Sequence, residues 1–277
     1  MKNLSDLKKL TDNFGDDGYL MPVLFVGHGS PMNGIEANDY SAYWSQLARE
    51  LPVPKAVLVV SAHWLTRGTR ITAMDFPRTI HDFGGFPKEL YDVQYPSPGD
   101  PQLARETAAL IGSTQVELDH DWGLDHGTWT VVRHMYPDAN VPVLQLSIDY
   151  TKDARYHYDL AHELQALRRK GVLIFGSGNM VHNLRLAAWD KLAEPSYGYD
   201  WAIGMNEKFK TLIAEGRHDE LIRYDRLGRE AQLAIPTPEH YLPLLYTLGL
   251  KSARDEVSFF NDRAIGGSLT MTSVRLG

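Results

Sequence analysis

The chain has 277 residues, enough for one large or two ordinary domains, and its 43% hydrophobic and 23% charged residues are those of a folded globular protein, neither disordered nor fibrous. A net charge of -7 offers no cationic field for nucleic acid or anionic lipid. Without cysteine there is no disulfide, thiolate nucleophile or Cys-ligated zinc, so any metal site must come from the 11 histidines and the carboxylates.

Residues 1–20 read as an N-terminal extension ahead of a domain spanning 21–277. Leu4, Leu7 and Leu10 recur at helical spacing, which fits a short amphipathic helix or a frayed leader. The segment lacks the apolar run and cleavage site of a secretory signal, and nowhere are there about 18 consecutive apolar residues. A cytosolic protein without a membrane span is the expectation. Strands are predicted over Pro22–Val26, Ala56–Val60, Arg70–Ala73, Val141–Leu146, Val172–Phe175 and Leu269–Val274. Helical periodicity marks Asn38–Glu50, Pro101–Ile111, Thr128–Met135, Asp153–Arg169, Trp201–Ala214 and Pro238–Leu248. Three strands, VLFV, AVLVV and VLIF, are continuously apolar, the pattern of strands buried on both faces. The prediction is therefore one α/β domain with a mainly parallel central sheet and helices on both faces. Asp75–Asp100, rich in Pro, Gly and aromatics, reads as a long ordered functional loop.

The position of the histidines is informative. The three apolar strands lead into Gly27-His28-Gly29-Ser30, Ser61-Ala62-His63 and Gly176-Ser177-Gly178-Asn179-Met180-Val181-His182. Each delivers a histidine at the carboxyl edge of the sheet, where ligands bind in open α/β folds. A backbone hydrogen bond explains a lone buried histidine well enough; three at one edge point to a common centre. The neighbouring glycines, Gly27, Gly29, Gly176 and Gly178, either make room beside these histidines or close tight turns. In the long loop, His81, Asp82 and Phe83 suit recognition of a flat polar ligand. Asp125 or Thr128 would cap the helix that follows His126. Glu239 and His240 are adjacent on the way into a helix and cannot both reach one ion in a compact site. His134, His157, His162 and His218 read as solvated helix surface.

As a set, GHGSP at His28, SAHW at His63, IHDFGGFP at His81, DHGTW at His126, SGNMVHNL at His182 and PTPEHYLPLL at His240 resemble the class III extradiol ring-cleaving dioxygenases. The resemblance runs from residue 28 to residue 245 and is closest to the DOPA-4,5-dioxygenase-like branch, related to the catalytic subunit of protocatechuate 4,5-dioxygenase. It implies a mononuclear non-haem metal at the carboxyl edge, bound by His28 and His63. The third ligand is His240, or Glu239 if the protocatechuate pattern holds. It implies His182 as catalytic base, or as a fourth ligand in a zinc-loaded form, and His126 as a group that hydrogen-bonds substrate or oxygen. Ser30, His81, Asp82 and Phe83 are then the substrate-binding candidates. Fe(II) is expected for activity, Zn(II) can occupy the same nitrogens, and a small catechol and dioxygen are the expected partners. Two other readings use the same residues: a zinc hydrolase with Asp125 or Glu239 as base, and a metal-binding protein without turnover.

Overall fold

The structure, a computed structural model, describes residues 20–277; the Leu4, Leu7 and Leu10 segment lies outside the described residues. Ten strands are described: β1 (Val23–Gly27), β2 (Ala56–Thr66), β3 (Thr69–Thr72), β4 (Val116–Asp119), β5 (Val143–Asp149), β6 (Val172–Gly178), β7 (Val257–Phe260), β8 (Ala264–Ile265), β9 (Leu269–Thr270) and β10 (Ser273–Leu276). Eight form one sheet in the order β4-β3-β5-β2-β6-β1-β10-β7, and β8 pairs with β9 apart from it. The central four, β5-β2-β6-β1, are parallel, whereas β10 and β7 add antiparallel strands at one end.

The apolar runs explain this arrangement. Val23, Phe25, Leu58 and Val60 face one core, while Leu24, Val26, Val57 and Val59 face another on the opposite side. Each strand residue is buried because helices cover both faces, as continuous hydrophobicity predicts. The six longer helices are α1 (Asp39–Glu50), α2 (Pro101–Leu110), α3 (His126–Met135), α4 (Ala154–Glu163), α5 (Asp200–Ala214) and α6 (Leu242–Gly249). Asn38, Asp100, Asp125 and Asp153 cap four of them, each side chain accepting from amides of the first turn. None of the described helices is long and apolar enough to cross a membrane.

Several expectations change in detail. The predicted helix over Asp153–Arg169 breaks at Leu164 into α4 and a short segment, Gln165–Arg169. The predicted strand Leu269–Val274 is two strands, β9 and β10, in different sheets. The last predicted helix begins at Leu242, leaving His240 in the preceding turn. His157, expected on the surface, is fully buried, with Nδ1 3.0 Å from the Tyr246 hydroxyl, because α4 packs its His157 side against α6. His134 and His218 are also tied down, to the Asn33 carbonyl (2.7 Å) and the Tyr158 hydroxyl (2.9 Å).

The topology determines what meets at the carboxyl edge. β6 inserts between β1 and β2, so the chain leaving β6 emerges between His28, just after β1, and His63 in β2. Ser177 of β6 is the register partner of Val26 on one side and Ser61 on the other. Pairing of β2 with β5 shifts register between Val60 and Leu65, an irregularity that releases Ser61–Trp64 from the ladder. His63 thus lies within the strand, at its bulge, and not beyond its end.

Candidate metal and catalytic site

Five imidazoles gather here. Ring centroids of His28 and His63 lie 5.0 Å apart, those of His28 and His240 5.5 Å, and those of His63 and His240 5.0 Å. His126 is 3.9 Å from His63 and 5.4 Å from His28. His182 stacks on His240 at 3.6 Å, with only 8° between the ring planes. Burial, then the neighbouring imidazoles, push His28 and His63 well below the usual histidine range, and burial likewise lowers His182 and His240.

The far sides of these rings are held by hydrogen bonds that determine their tautomers. The Ser177 hydroxyl donates to the Gly127 carbonyl at 2.5 Å, so its oxygen is left to accept from His28 Nδ1 at 3.0 Å. Asp82 accepts from His126 Nδ1 and from the His126 amide, at 3.0 and 2.9 Å, and its other oxygen is 3.4 Å from His63 Nδ1. His28 and His126 therefore carry a proton on Nδ1, and the Asp82 carboxylate beside His63 Nδ1 favours the same tautomer there. Burial acts to raise the Asp82 carboxyl, but the bonds from His126 outweigh it and hold it low.

His28 Nε2 and His63 Nε2 nevertheless face one another at 3.1 Å. With Nδ1 protonated on both rings, two lone pairs face each other at that distance and repel. The spacing suits two nitrogens on one ion, since metal–nitrogen bonds of about 2.0–2.1 Å at angles of about 90–110° separate the nitrogens by about 2.9–3.4 Å. The donor set therefore fits a divalent transition metal. The nitrogens of His28, His63 and His126 lie within 4.8 Å of one another, and His240 Nδ1 is buried without a hydrogen-bond partner among the described residues.

The glycines serve a different purpose from the room for a ligand that the sequence suggested. A Cβ on Gly178 would stand 2.1 Å from the His240 carbonyl oxygen, and one on Gly27 2.5 Å from that of Met271. They let backbone cross the strand ends, and Gly178 lets the turn bearing His240 dock there, where Asn179 N–H donates to the His240 carbonyl at 2.9 Å. Glu239 is occupied beside the ring: its Oε1 accepts from the Thr237 hydroxyl at 2.6 Å and lies 3.9 Å from His240 Nδ1, which its charge favours in protonated form.

The long loop is ordered, as expected. Ile80 N–H donates to the Leu124 carbonyl at 2.7 Å, and Trp129 Nε1 donates to the Ile80 carbonyl at 2.8 Å. His81, a substrate-binding candidate, has its Nε2 on the Val93 carbonyl at 3.0 Å among Phe83, Tyr91 and Trp129. Phe83 stands 5.6 Å from His126, an apolar wall beside the imidazoles. Ser30 is exposed and caps the turn after His28, its hydroxyl accepting from Met32 N–H at 3.2 Å. Ser177 and Gln145 hold the site without having been singled out by sequence pattern, and Asp125 reads in the sequence chiefly as a cap. Asp125 does cap α3, but it is also fully buried and bonded to Ser61 and Gln145. Only Ser177, between two conspicuous glycines, carried a visible signal.

A three-layer α/β fold with imidazoles gathered at the carboxyl edge of its sheet frames a site that could hold a metal, and the similarity to known proteins gives its class. Residues 22–265 match the family described as the catalytic LigB subunit of aromatic ring-opening dioxygenase, and the chain belongs to that family. It is 48% identical over 260 residues to the "4,5-DOPA dioxygenase extradiol" of Escherichia coli K12, covering 93% of this chain and 95% of that one. The protein of the same name from Beta vulgaris is 34% identical, over 94% and 98% of the two chains. Among solved structures, an uncharacterized Escherichia coli K12 protein superposes with a TM-score of 0.80 at 43% identity, covering 93% of this chain and all of that one. The protein is thus an oxidoreductase, a ring-cleaving dioxygenase acting on a small molecule and dioxygen, and its family implies a metal.

Proposed function

We propose that residues 21–277 form a catalytic domain that opens catechols at the bond beside the diol, with 3,4-dihydroxyphenylalanine the first substrate to try. The observation that carries this is the confrontation of His28 Nε2 and His63 Nε2 at 3.1 Å, with both Nδ1 atoms already engaged. His240 is the third ligand. Imidazoles directed at one ion have centroids about 4.5–5.2 Å apart, and the separations of 5.0, 5.0 and 5.5 Å among His28, His63 and His240 come closest. His126, at 3.9 Å from His63, is too close for that geometry. Glu239, already bonded to Thr237, is set aside.

Fe(II) in this site would bring the diol and dioxygen together and pass electrons between them, which redox-inert Zn(II) on the same imidazoles would not. The chain's residues do the remaining work. Three neutral ligands leave the ion positive, which favours a catecholate. His182, parallel to His240, cannot aim its lone pair at the same ion, because lone pairs lie in the ring planes and these planes are offset by the stack. It is free to take a proton from the catechol hydroxyl and return it to the product. His126, held through Nδ1, presents Nε2 to accept from a substrate hydroxyl. Phe83 shields that side from water. Asp82, a substrate-binding candidate in the sequence, we assign instead to orienting His63 and His126.

The test is oxygen uptake by protein reconstituted anaerobically with Fe(II) and mixed with 3,4-dihydroxyphenylalanine. One dioxygen consumed per substrate and a yellow ring-opened product are expected, with none from zinc-loaded protein. No uptake with this or with simpler catechols overturns the reading.

A further inference from the structure

Asp125 is wholly buried behind the imidazoles, and its surroundings are one-sided. The Ser61 hydroxyl donates to Oδ1 at 2.7 Å, the Thr128 amide donates to Oδ1 at 3.1 Å, and the Gln145 amide donates to Oδ2 at 2.6 Å. Gln145 is itself fixed, because its Oε1 accepts from the Asp125 amide at 2.9 Å. Three donors and no acceptor hold a carboxylate anion. A helix cap needs neither this burial nor these extra partners, since an exposed Asp or Asn caps as well.

A buried anion calls for a nearby cation. Burial and then Asp82 raise the Asp125 carboxyl, more than the bonds from Gln145 and Ser61 lower it, so its ionised form gains from any cation placed nearby. A Cβ on Gly127 would stand 3.0 Å from His63 Cδ2 and 3.3 Å from Asp125 Oδ1, so the carboxylate lies within about 6 Å of a proposed metal ligand, on the same glycine. Asp82 holds the other edge of the same ring. Two carboxylates that repel each other thus stand behind the proposed metal ligands, and a divalent ion held by those ligands would relieve the repulsion.

We propose that Asp125, with Asp82, is the counter-charge of the metal centre, supplying from behind the imidazoles the negative charge that a ligating carboxylate would otherwise provide. Asp125 is a positioning residue: it touches neither metal nor substrate, and acts through Ser61, Gln145 and the field at His63. Its effect is to raise affinity for a divalent ion while leaving every coordination position not taken by histidine to substrate and oxygen. The inference rests on the metal assignment proposed above and adds to it the origin of the site's charge.

The test uses the full-length chain and measures Co(II) and Zn(II) affinity against a competing chelator, the Co(II) absorption spectrum, and thermal midpoints with and without metal. Asp125→Asn keeps the shape and the cap but removes the charge and turns an amide toward the Gln145 amide. The double variant Asp125→Asn/Gln145→Glu restores one negative charge within the same hydrogen-bonded pair. For Asp125→Asn the expectation is a metal affinity about 10–100-fold lower, the range typical of partners behind metal ligands. The Co(II) bands should stay in position, since no ligand is lost. Without metal the double variant, which keeps a donor and an acceptor facing each other, should melt close to the native chain, whereas Asp125→Asn also loses stability to the clash of two amide groups. The double variant should recover most of the affinity. Affinity unchanged in Asp125→Asn overturns the proposal. So does a loss of affinity that the folded double variant, with its hydrogen bonds and its negative charge both in place, fails to restore. Should Asp125→Asn not fold, the double variant decides by itself: near-native affinity supports a charge that can be moved by one residue, and loss of affinity in a folded protein refutes it. A native chain that binds neither ion defeats the metal assignment, separately from any role of Asp125.

Discussion

His182 differs from its neighbours in what its ring can do. His28 and His63 point Nε2 at each other, whereas His182 lies flat on His240 at 3.6 Å. Burial and then His240 lower its pKa, so it is neutral at physiological pH, and any proton it accepts must come from a group acidified at the site. If it carries that proton, His182→Ala should lower turnover by about 10²–10⁴-fold, the usual contribution of a positioned acid–base group. Bound metal should change by less than twofold in the same preparation. Oxygen uptake under saturating catechol, measured beside metal analysis, separates the roles: parallel loss of metal and activity would mark His182 as chiefly a ligand. The hydrolase reading has no such group available. Asp125 is enclosed by donors, and Glu239 is bonded to Thr237, so neither is placed to activate a water.

The strand ends carry the site because glycine lets other backbone cross them. At Gly178 the His240 carbonyl approaches so closely that even a methyl group would stand 2.1 Å from it. Gly178→Ala should therefore push the turn bearing His240 outward and weaken metal binding by at least about tenfold, a modest displacement being enough to spoil ligand geometry. Gly84→Ala, in the loop, meets nothing within 4 Å and is the control expected to bind normally. Chelator competition on both variants, with circular dichroism to confirm folding, reads the difference; equal affinities would falsify the role given to Gly178. These elements also explain what could be read from the sequence. β1, β2 and β6 announce themselves because burial on both faces demands an unbroken apolar run, and His28, His63 and His182 follow those runs in the chain. β4 and β7 sit at the sheet's ends, where VELD and VSFF are largely exposed or half-buried and give only a weak signal. His240 comes from a turn whose docking depends on a distant glycine. Ser61, Gln145 and Asp125 are brought together only by the sheet register, which no local pattern encodes.

Packing the whole molecule around two cores leaves several titratable groups without water, and its acid stability follows from them. Arg168 and Asp255 form a fully buried pair, with the guanidinium also donating to the Met21 and Leu250 carbonyls, and this pairing lowers the Asp255 carboxyl against the effect of burial. Such carboxylates lose their contribution only in strong acid. Buried histidines act earlier. His157, sealed between α4 and α6 against Tyr246, is lowered by burial from 6.5 to about 4. Between those values the unfolded chain binds a proton that the folded chain does not, so stability is full above about pH 6.5 and declines as pH falls toward 4. At pH 5 the loss from this one group is about 2 kcal/mol, from about 1.4 kcal/mol for each pH unit below 6.5. His157→Gln keeps a polar partner for the Tyr246 hydroxyl and removes the titration. Urea unfolding of metal-free protein at pH 7.5 and pH 5 should show the native chain losing about 2 kcal/mol more than this variant across that interval. Equal losses would mean that His157 is protonated within the fold, and that the seal between the two helices admits water.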